Sequence, residues 1–95
     1  MIIAACRIQL SLPGCASLKE KRGRLKPVLA RLPKEFNVAV AEVGHHDVWQ
    51  SAEVAAVTVV HADAGMAHSH LTALLGFVER HFPDVEVIDA QIELR

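Results

Sequence analysis

The chain has 95 residues, of which 52% are hydrophobic and 22% are charged, and its formal net charge is −1. A chain of this length and composition can bury roughly 60–65% of its unfolded surface in one domain, which excludes general disorder. The near-neutral charge excludes a uniformly basic nucleic-acid binder, but it allows a polarised one. Two cysteines, and an N-terminal apolar run interrupted by Arg7 and Gln9, lead us to expect a cytoplasmic protein without membrane attachment.

Alternating apolar residues near the N-terminus predict a strand with one buried face. Arg7 and Gln9 stand between the apolar positions and are expected on the opposite face. Pro13 and Gly14 end this strand. The apolar positions are Ala4, Cys6, Ile8, Leu10 and Leu12.

A capping box formed by Ser17 and Glu20 predicts the start of the first helix. One arc of this helix is apolar and consists of Leu18, Leu25, Val28, Leu29, Leu32 and Phe36. Pro27 removes a backbone donor and crowds the carbonyl of Gly23, at a cost of about 3 kcal/mol. We expect a kink at this point, and the alternative is a loop through Arg24 followed by a shorter helix.

Two strands rich in valine and alanine are predicted next, at about Phe36–Val43 and Ser51–His61, with a hairpin loop between them. Asp63 is expected to cap a second helix that runs to about His81, and a last strand is expected over Val85–Leu94. The apolar stripe of the second helix is Ala67, Leu71, Leu74, Leu75, Val78 and Phe82. The last strand is expected to place Ile88, Ala90, Ile92 and Leu94 on one face and Asp89, Gln91 and Glu93 on the other.

The order βαββαβ predicts an α+β fold, the ferredoxin-like plait, as a single domain over residues 1–95. In this fold a four-stranded antiparallel sheet carries two helices on one face, and right-handed crossovers put the first and third strands in the centre. The open face would carry Arg7 and Gln9. It would also carry either Val57 and Val59 or Val54 and Ala56. We hypothesise a homodimer through this face or through a sheet edge.

Basic residues are concentrated in the first helix, at the end where the helix dipole disfavours them. Seven of the ten fall within positions 19–34, accompanied only by Glu20, although a helix N-terminus already carries roughly +0.5 of a charge. A local rule broken without a folding reason indicates a functional site, here for an anionic partner and foremost for nucleic-acid phosphate. The predicted contacts are Lys19, Lys21, Arg22, Arg24, Lys26, Arg31 and Lys34, with Ser17 and Glu20 fixing the helix start.

Trp49 lies in the predicted hairpin loop and has two interpretations. Its ring could stack on a base or anchor a protein partner. The alternative is a structural ring that folds over the hairpin or under the neighbouring helix.

Several short motifs resemble those of the YlxP-like family of small bacterial proteins. They are Ser17-Leu18-Lys19-Glu20-Lys21-Arg22, Phe36-Asn37-Val38, Ala41-Glu42-Val43-Gly44, and Asp47 with Trp49-Gln50. The resemblance covers essentially Met1 to Arg95. It implies a cytoplasmic, ferredoxin-like protein that is often encoded beside translation-initiation and ribosome-maturation factors. Some members are called probable ribosome-binding factors, and the resemblance supplies no catalytic residues.

Six histidines raise a metal hypothesis that their spacing does not favour. His68 and His70 would point roughly 200° apart on a helix, and no cysteine stands at ligand spacing. Cys15 with His45 or His46 is the one thinkable catalytic pair, and no motif joins them. We therefore expect no metal, no cofactor and no catalytic residue.

The sequence thus predicts a non-catalytic protein that binds RNA or a ribosomal subunit through its basic first helix, in connection with translation or ribosome maturation. One alternative is a homodimeric interaction module that binds an acidic protein. A less favoured alternative is a small phosphate-directed enzyme that uses the same helix start.

Overall fold

The first strand and its buried residues are confirmed by a computed structural model, which describes residues 1–61 and 63–95. Strand β1 spans Ile2–Ser11. All five apolar positions predicted at this strand and its end are buried. Because side chains alternate along a strand, Arg7 and Gln9 lie on the open face of the sheet.

The predicted ferredoxin-like plait is also confirmed. The elements that follow β1 are α1 (Leu18–Phe36), β2 (Ala39–Gly44), β3 (Ser51–Val60), α2 (Ala64–His81) and β4 (Glu86–Leu94). The sheet has the order β2-β3-β1-β4, and every neighbouring pair is antiparallel. The first and third strands are therefore central, and β2 and β4 form the two edges.

Helix α1 begins as the capping box predicts. The Ser17 hydroxyl accepts a hydrogen bond from the Glu20 N–H at 3.0 Å, and the Glu20 carboxylate accepts one from the Ala16 N–H at 3.0 Å. The helix then continues without interruption through both Pro27 and Pro33. The alternative of a loop and a shorter helix is therefore wrong.

The boundary between α1 and β2 lies later in the chain than the sequence analysis placed it. Phe36 is the last residue of the helix, whereas it was expected to begin the strand. Asn37 caps the helix in the left-handed region at φ 52°, and its N–H donates to the Pro33 carbonyl at 3.1 Å. Asparagine tolerates this conformation better than most residues, which makes it a good helix terminator.

Helix α2 has the predicted cap and nearly the predicted apolar stripe. The Asp63 carboxylate accepts hydrogen bonds from the N–H groups of Gly65 and Met66. Phe77 was not in the predicted stripe, yet it is buried. Its ring packs edge-to-face against Phe36 from α1, so the contact depends on a distant segment.

One residue of β4 faces the opposite way from its prediction. Gln9 pairs with Asp89, but Leu10 pairs with Val87, so Ile88 is an extra residue in the ladder. Such a bulge shifts the alternation of side chains. Ile88 is consequently 66% exposed, and Val87 packs against the core in its place.

Candidate anion-binding surface on the first helix

The seven basic residues predicted as a binding site all lie on α1, and the structure divides them into two groups. Three of them contact other groups of the protein: Lys21, Arg24 and Arg31. The other four are exposed and have no ion pair or side-chain hydrogen bond within residues 1–61 and 63–95: Lys19, Arg22, Lys26 and Lys34. The binding role of these four stays a prediction.

Lys21 is buried, with 2% of its surface exposed. Its ammonium lies 3.0 Å from Oε2 of Glu42 and donates a hydrogen bond to the His45 carbonyl. Glu42 lies on β2 and faces the helices, because it pairs with the buried Val54 of β3. The prediction that Lys21 contacts phosphate is therefore corrected, since its charge is enclosed between α1 and the sheet edge.

The Lys21–Glu42 contact is an ion pair rather than a well-directed hydrogen bond. The Oε2 atom of Glu42 is buried and receives no hydrogen bond of good geometry from the described residues. The desolvation cost of this buried, negatively charged oxygen is therefore offset by the neighbouring ammonium. The sequence carried a signal for the pair, because Lys21 stands on the apolar side of the helix and Val38, Val40 and Glu42 alternate along one face.

Arg24 connects three segments and is also not part of a free basic patch. One guanidinium nitrogen donates to the Pro13 carbonyl at 2.8 Å and to the Asp84 carbonyl at 3.1 Å. Another donates to the Glu20 carboxylate at 3.2 Å. Only 17% of the Arg24 side chain is exposed. Its donors therefore hold the start of α1 against the turn before β4, which corrects its prediction as a phosphate contact.

Arg31 packs on aromatic rings further along α1. Its guanidinium carbon lies 5.0 Å from the centre of the Phe77 ring and 5.6 Å from that of Phe82. A guanidinium nitrogen lies 3.8 Å from the Glu35 carboxylate. These contacts give Arg31 a structural role as a cation–π partner of α2, in addition to its predicted role.

The exposed cations at the beginning of α1 form one row, which we call the basic ridge: Lys19, Arg22 and Lys26. Their spacing of i, i+3 and i+7 puts them on the same side of the helix. Lys19 stands in the first turn, where the helix dipole is positive, and no carboxylate in the described residues lies within ion-pair distance of any of the three cations. The ridge is the part of the predicted site that remains available to an anionic partner.

Trp49 lies at the same end of the molecule as the start of α1. The loop that carries it is held there by a backbone bond from the Leu12 N–H to the Gln50 carbonyl and by a bond from the Gln50 side chain to the Cys15 carbonyl. Lys21 adds the contact with His45. Trp49 is 47% exposed. The structure thus brings a partly exposed aromatic ring to the same end as the basic ridge.

A groove that the sequence analysis missed runs between α1 and the edge strand β2. Its volume is about 450 Å³. Its apolar lining comes from α1, and Glu42 contributes from β2. The α1 residues are Arg22, Leu25, Lys26, Leu29 and Ala30, of which two belong to the basic ridge.

Comparison with known proteins assigns the chain to a family. Residues 3–92 match the family described as "Protein of unknown function (DUF503)". The chain belongs to the DUF503 family. It is 36% identical over 70 residues to "Uncharacterized protein YlxP" of Bacillus subtilis (strain 168), which covers 74% of each chain. A solved structure, "De novo designed protein Foldit4", is similar over 99% of this chain and 94% of its own, with 14% identity and a TM-score of 0.48.

The start of α1 in this DUF503 protein also contains an acidic group whose pKa is lowered. The pKa of Glu20 lies below its ordinary value of 4.5, first because of the Cys15 thiol, then because of the Ala16 N–H, with a contribution from the Arg24 guanidinium. Each of these favours the ionised carboxylate. Glu20 therefore remains an anion that caps the helix within the basic segment.

The open sheet face of the DUF503 chain carries Val57 and Val59, which settles the choice between the two pairs predicted there. Val59 is 60% exposed, and Val54 and Ala56 are buried. Next to the valines, Arg7 lies 3.2 Å from the Glu53 carboxylate. This face is partly apolar, as expected, and the homodimer through it stays a prediction.

The histidines are dispersed rather than gathered. His70 contacts the Phe36 carbonyl through Nε2, and His45 lies 3.2 Å from the Ser51 hydroxyl through Nδ1. Within residues 1–61 and 63–95, no three metal-ligating side chains come together. Over the same residues, neither helix combines the length and hydropathy of a membrane-spanning segment.

Proposed function

We propose that this DUF503 protein is a non-catalytic, cytoplasmic binding protein for RNA, and that the RNA is presented by a ribosomal subunit or its precursor. The contact surface is the basic ridge together with Trp49. The observation that carries the proposal is the presence of three exposed, unneutralised cations on the first turns of α1, at the same end as a half-exposed indole.

The physical argument begins with the helix dipole. A base in the first turn of a helix opposes the dipole by roughly 0.3–1 kcal/mol, so Lys19 at least does not serve the stability of α1. An RNA phosphate would give these cations the counter-ion that the described residues do not supply. Base stacking on an aromatic ring contributes about 1–3 kcal/mol without sequence selectivity. The resemblance to YlxP-like proteins supports a translation-linked setting.

The experiment measures binding of a twelve-nucleotide single-stranded RNA and of purified ribosomal subunits across a salt series. About three phosphate contacts on a single strand predict a slope near −2 in log K against log salt, which weakens binding roughly 20-fold between 50 and 200 mM. Lys19→Glu with Arg22→Glu should abolish binding and leave the melting temperature unchanged or slightly higher. Arg80→Glu with Arg95→Glu is the matched control, because it changes the net charge equally at sites away from the ridge. Equal binding by the two variants would reject the site.

A homodimer is the second candidate, and the exposed valines of the open sheet face are the observation that favours it. Val57, Val59 and Ile3 are neighbours across β3 and β1 and are all exposed. Burying them against a second copy would remove apolar surface from water. Sedimentation equilibrium should show a dimer that Val59→Asp dissociates, and a monomer at all concentrations would reject this candidate.

A further inference from the structure

Strand β2 forms an edge of the sheet that no other strand in the described residues covers. It pairs with β3 on one side only, so the backbone groups on its other side have no strand partner in the described residues. Natural sheets protect such an edge with lysine, proline, a bulge, a very short strand or a covering segment. The β2 sequence Ala39–Gly44 contains neither lysine nor proline. A bulge follows Glu42, and the His46 ring lies 3.2 Å from the Glu42 carbonyl through Nε2, so the end of the strand is partly protected and residues 39–41 are its open part.

The groove between α1 and β2 lies directly beside this edge. Leu29 is half-buried in its lining and Ala30 is exposed, so part of the apolar surface of α1 faces solvent there. In an extended segment added to a sheet edge, alternate side chains point to the same face of the sheet. Every second side chain of a segment paired with β2 would thus point towards α1 and enter the groove.

The charges around the groove indicate which types of residue such a segment would contain. Arg22 and Lys26 line it without a counter-ion in the described residues. The carboxylate of Glu42 is already matched by the ammonium of Lys21 at 3.0 Å. The groove is therefore net positive above an apolar floor, which is complementary to a segment that combines acidic and apolar residues.

We propose that β2 and the groove beside it bind an extended, acidic–apolar peptide segment of a partner protein by β-strand addition. Main-chain hydrogen bonds to the edge of β2 give the affinity, and the groove selects the side chains, as in other cases of strand addition. This site does not rest on RNA binding, although it shares Arg22 and Lys26 with the basic ridge. Nucleic acid is the less suitable occupant of the groove, because its charged phosphates neither bury apolar surface nor pair with the backbone of a strand edge.

The experiment uses a phage-displayed library of random ten-residue peptides, selected against the full-length protein. We expect enrichment of peptides in which acidic and apolar residues occur together in an extended pattern. One enriched peptide is then synthesised and titrated by fluorescence anisotropy. Its addition should slow amide hydrogen exchange, followed by NMR, along residues 39–44.

Two matched variants separate the groove from the rest of the surface. Ala30→Glu puts a carboxylate into the groove and should weaken peptide binding at least tenfold. Ala73→Glu makes the same change at an exposed position of α2 and should leave binding unchanged. Lys19→Glu changes the ridge outside the groove and should weaken RNA binding while peptide binding is retained.

Each possible result either supports or overturns the proposed peptide binding. Failure to enrich any peptide, enrichment of basic peptides, equal binding by Ala30→Glu, or protection of residues other than 39–44 would each overturn the proposal. Dimerisation of the protein through β2 in place of peptide binding would overturn it too. RNA binding without peptide binding rejects this inference alone, and peptide binding without RNA binding rejects only the function proposed above.

Discussion

Replacement of Lys21 by methionine tests whether this residue is a structural ion-pair partner rather than a ligand contact. Methionine preserves the length and apolar stem of the side chain, which is 2% exposed, and removes the ammonium. The change leaves the Glu42 carboxylate without its counter-charge and the His45 carbonyl without its hydrogen-bond donor. The fold should survive, but its free energy of unfolding should fall.

The size of the loss in unfolding free energy depends on how well water can solvate the Glu42 carboxylate once the ammonium is gone. Loss of one partner of a fully buried ion pair costs about 3–5 kcal/mol. The Glu42 side chain is 22% exposed, so solvent can reach part of its carboxylate and reduce the cost. We expect about 2–3 kcal/mol, which for a domain of this size lowers the melting temperature on the order of 10–20 °C.

Urea unfolding followed by circular dichroism measures this change directly. The control is Lys26→Met, which removes an exposed cation of the same helix and should change stability by less than about 0.5 kcal/mol. The double variant Lys21→Met with Glu42→Leu should recover most of the loss, because no unpaired charge then remains. If Lys21→Met is as stable as wild type, or if the double variant is no better than the single one, the ion-pair assignment is wrong.

Three further predictions concern the helix cap, the bulge and the cation–π contact. Because folding lowers the pKa of Glu20, its ionised carboxylate stabilises the protein above pH 4.5, and this stabilisation is lost as the pH falls through the folded pKa. The melting-temperature difference between wild type and Glu20→Gln should therefore be largest near pH 7 and shrink in acid. Ile88→Glu should change the free energy of unfolding by less than about 0.5 kcal/mol, whereas Ile92→Glu should cost several times more, and equal costs would refute the bulge. Arg31→Ala should cost about 0.5–2 kcal/mol in urea unfolding through lost contact with the Phe77 ring, and Arg31→Lys should restore only part of it.

The secondary structure was largely predictable because its signals are local. Ser17 with Glu20, and Asp63 before Gly65, are caps that act within one turn of their helices. The predicted end of α1 and the predicted facing of Ile88 were wrong because a local signal was overlooked in the first case and absent in the second. Asn37 was a readable helix stop, whereas nothing near Ile88 in the sequence reveals a bulge, since the ladder with β1 defines it.

The position of a basic surface was predictable, but which of its charges stay exposed was not. A run of bases on one helix indicates a basic surface, and the basic ridge lies on that surface. The prediction that all seven bases serve one site was wrong for Lys21, because its carboxylate partner lies 21 positions away on β2. It was wrong for Arg24 for a similar reason, since one of its acceptors is the carbonyl of Asp84, 60 positions later.

Sequence alone determined the elements of this protein, their order and the core-facing side of β1 and of both helices, because hydrophobic periodicity and helix caps act over a few residues. The structure decided which face of β3 is buried and which way Ile88 of β4 faces. Sequence also determined that positive charge gathers on α1. Only the tertiary structure decided which of those charges remain available, because neutralisation depends on groups brought close by the sheet. The groove between α1 and β2 likewise exists only once helix and strand edge lie side by side.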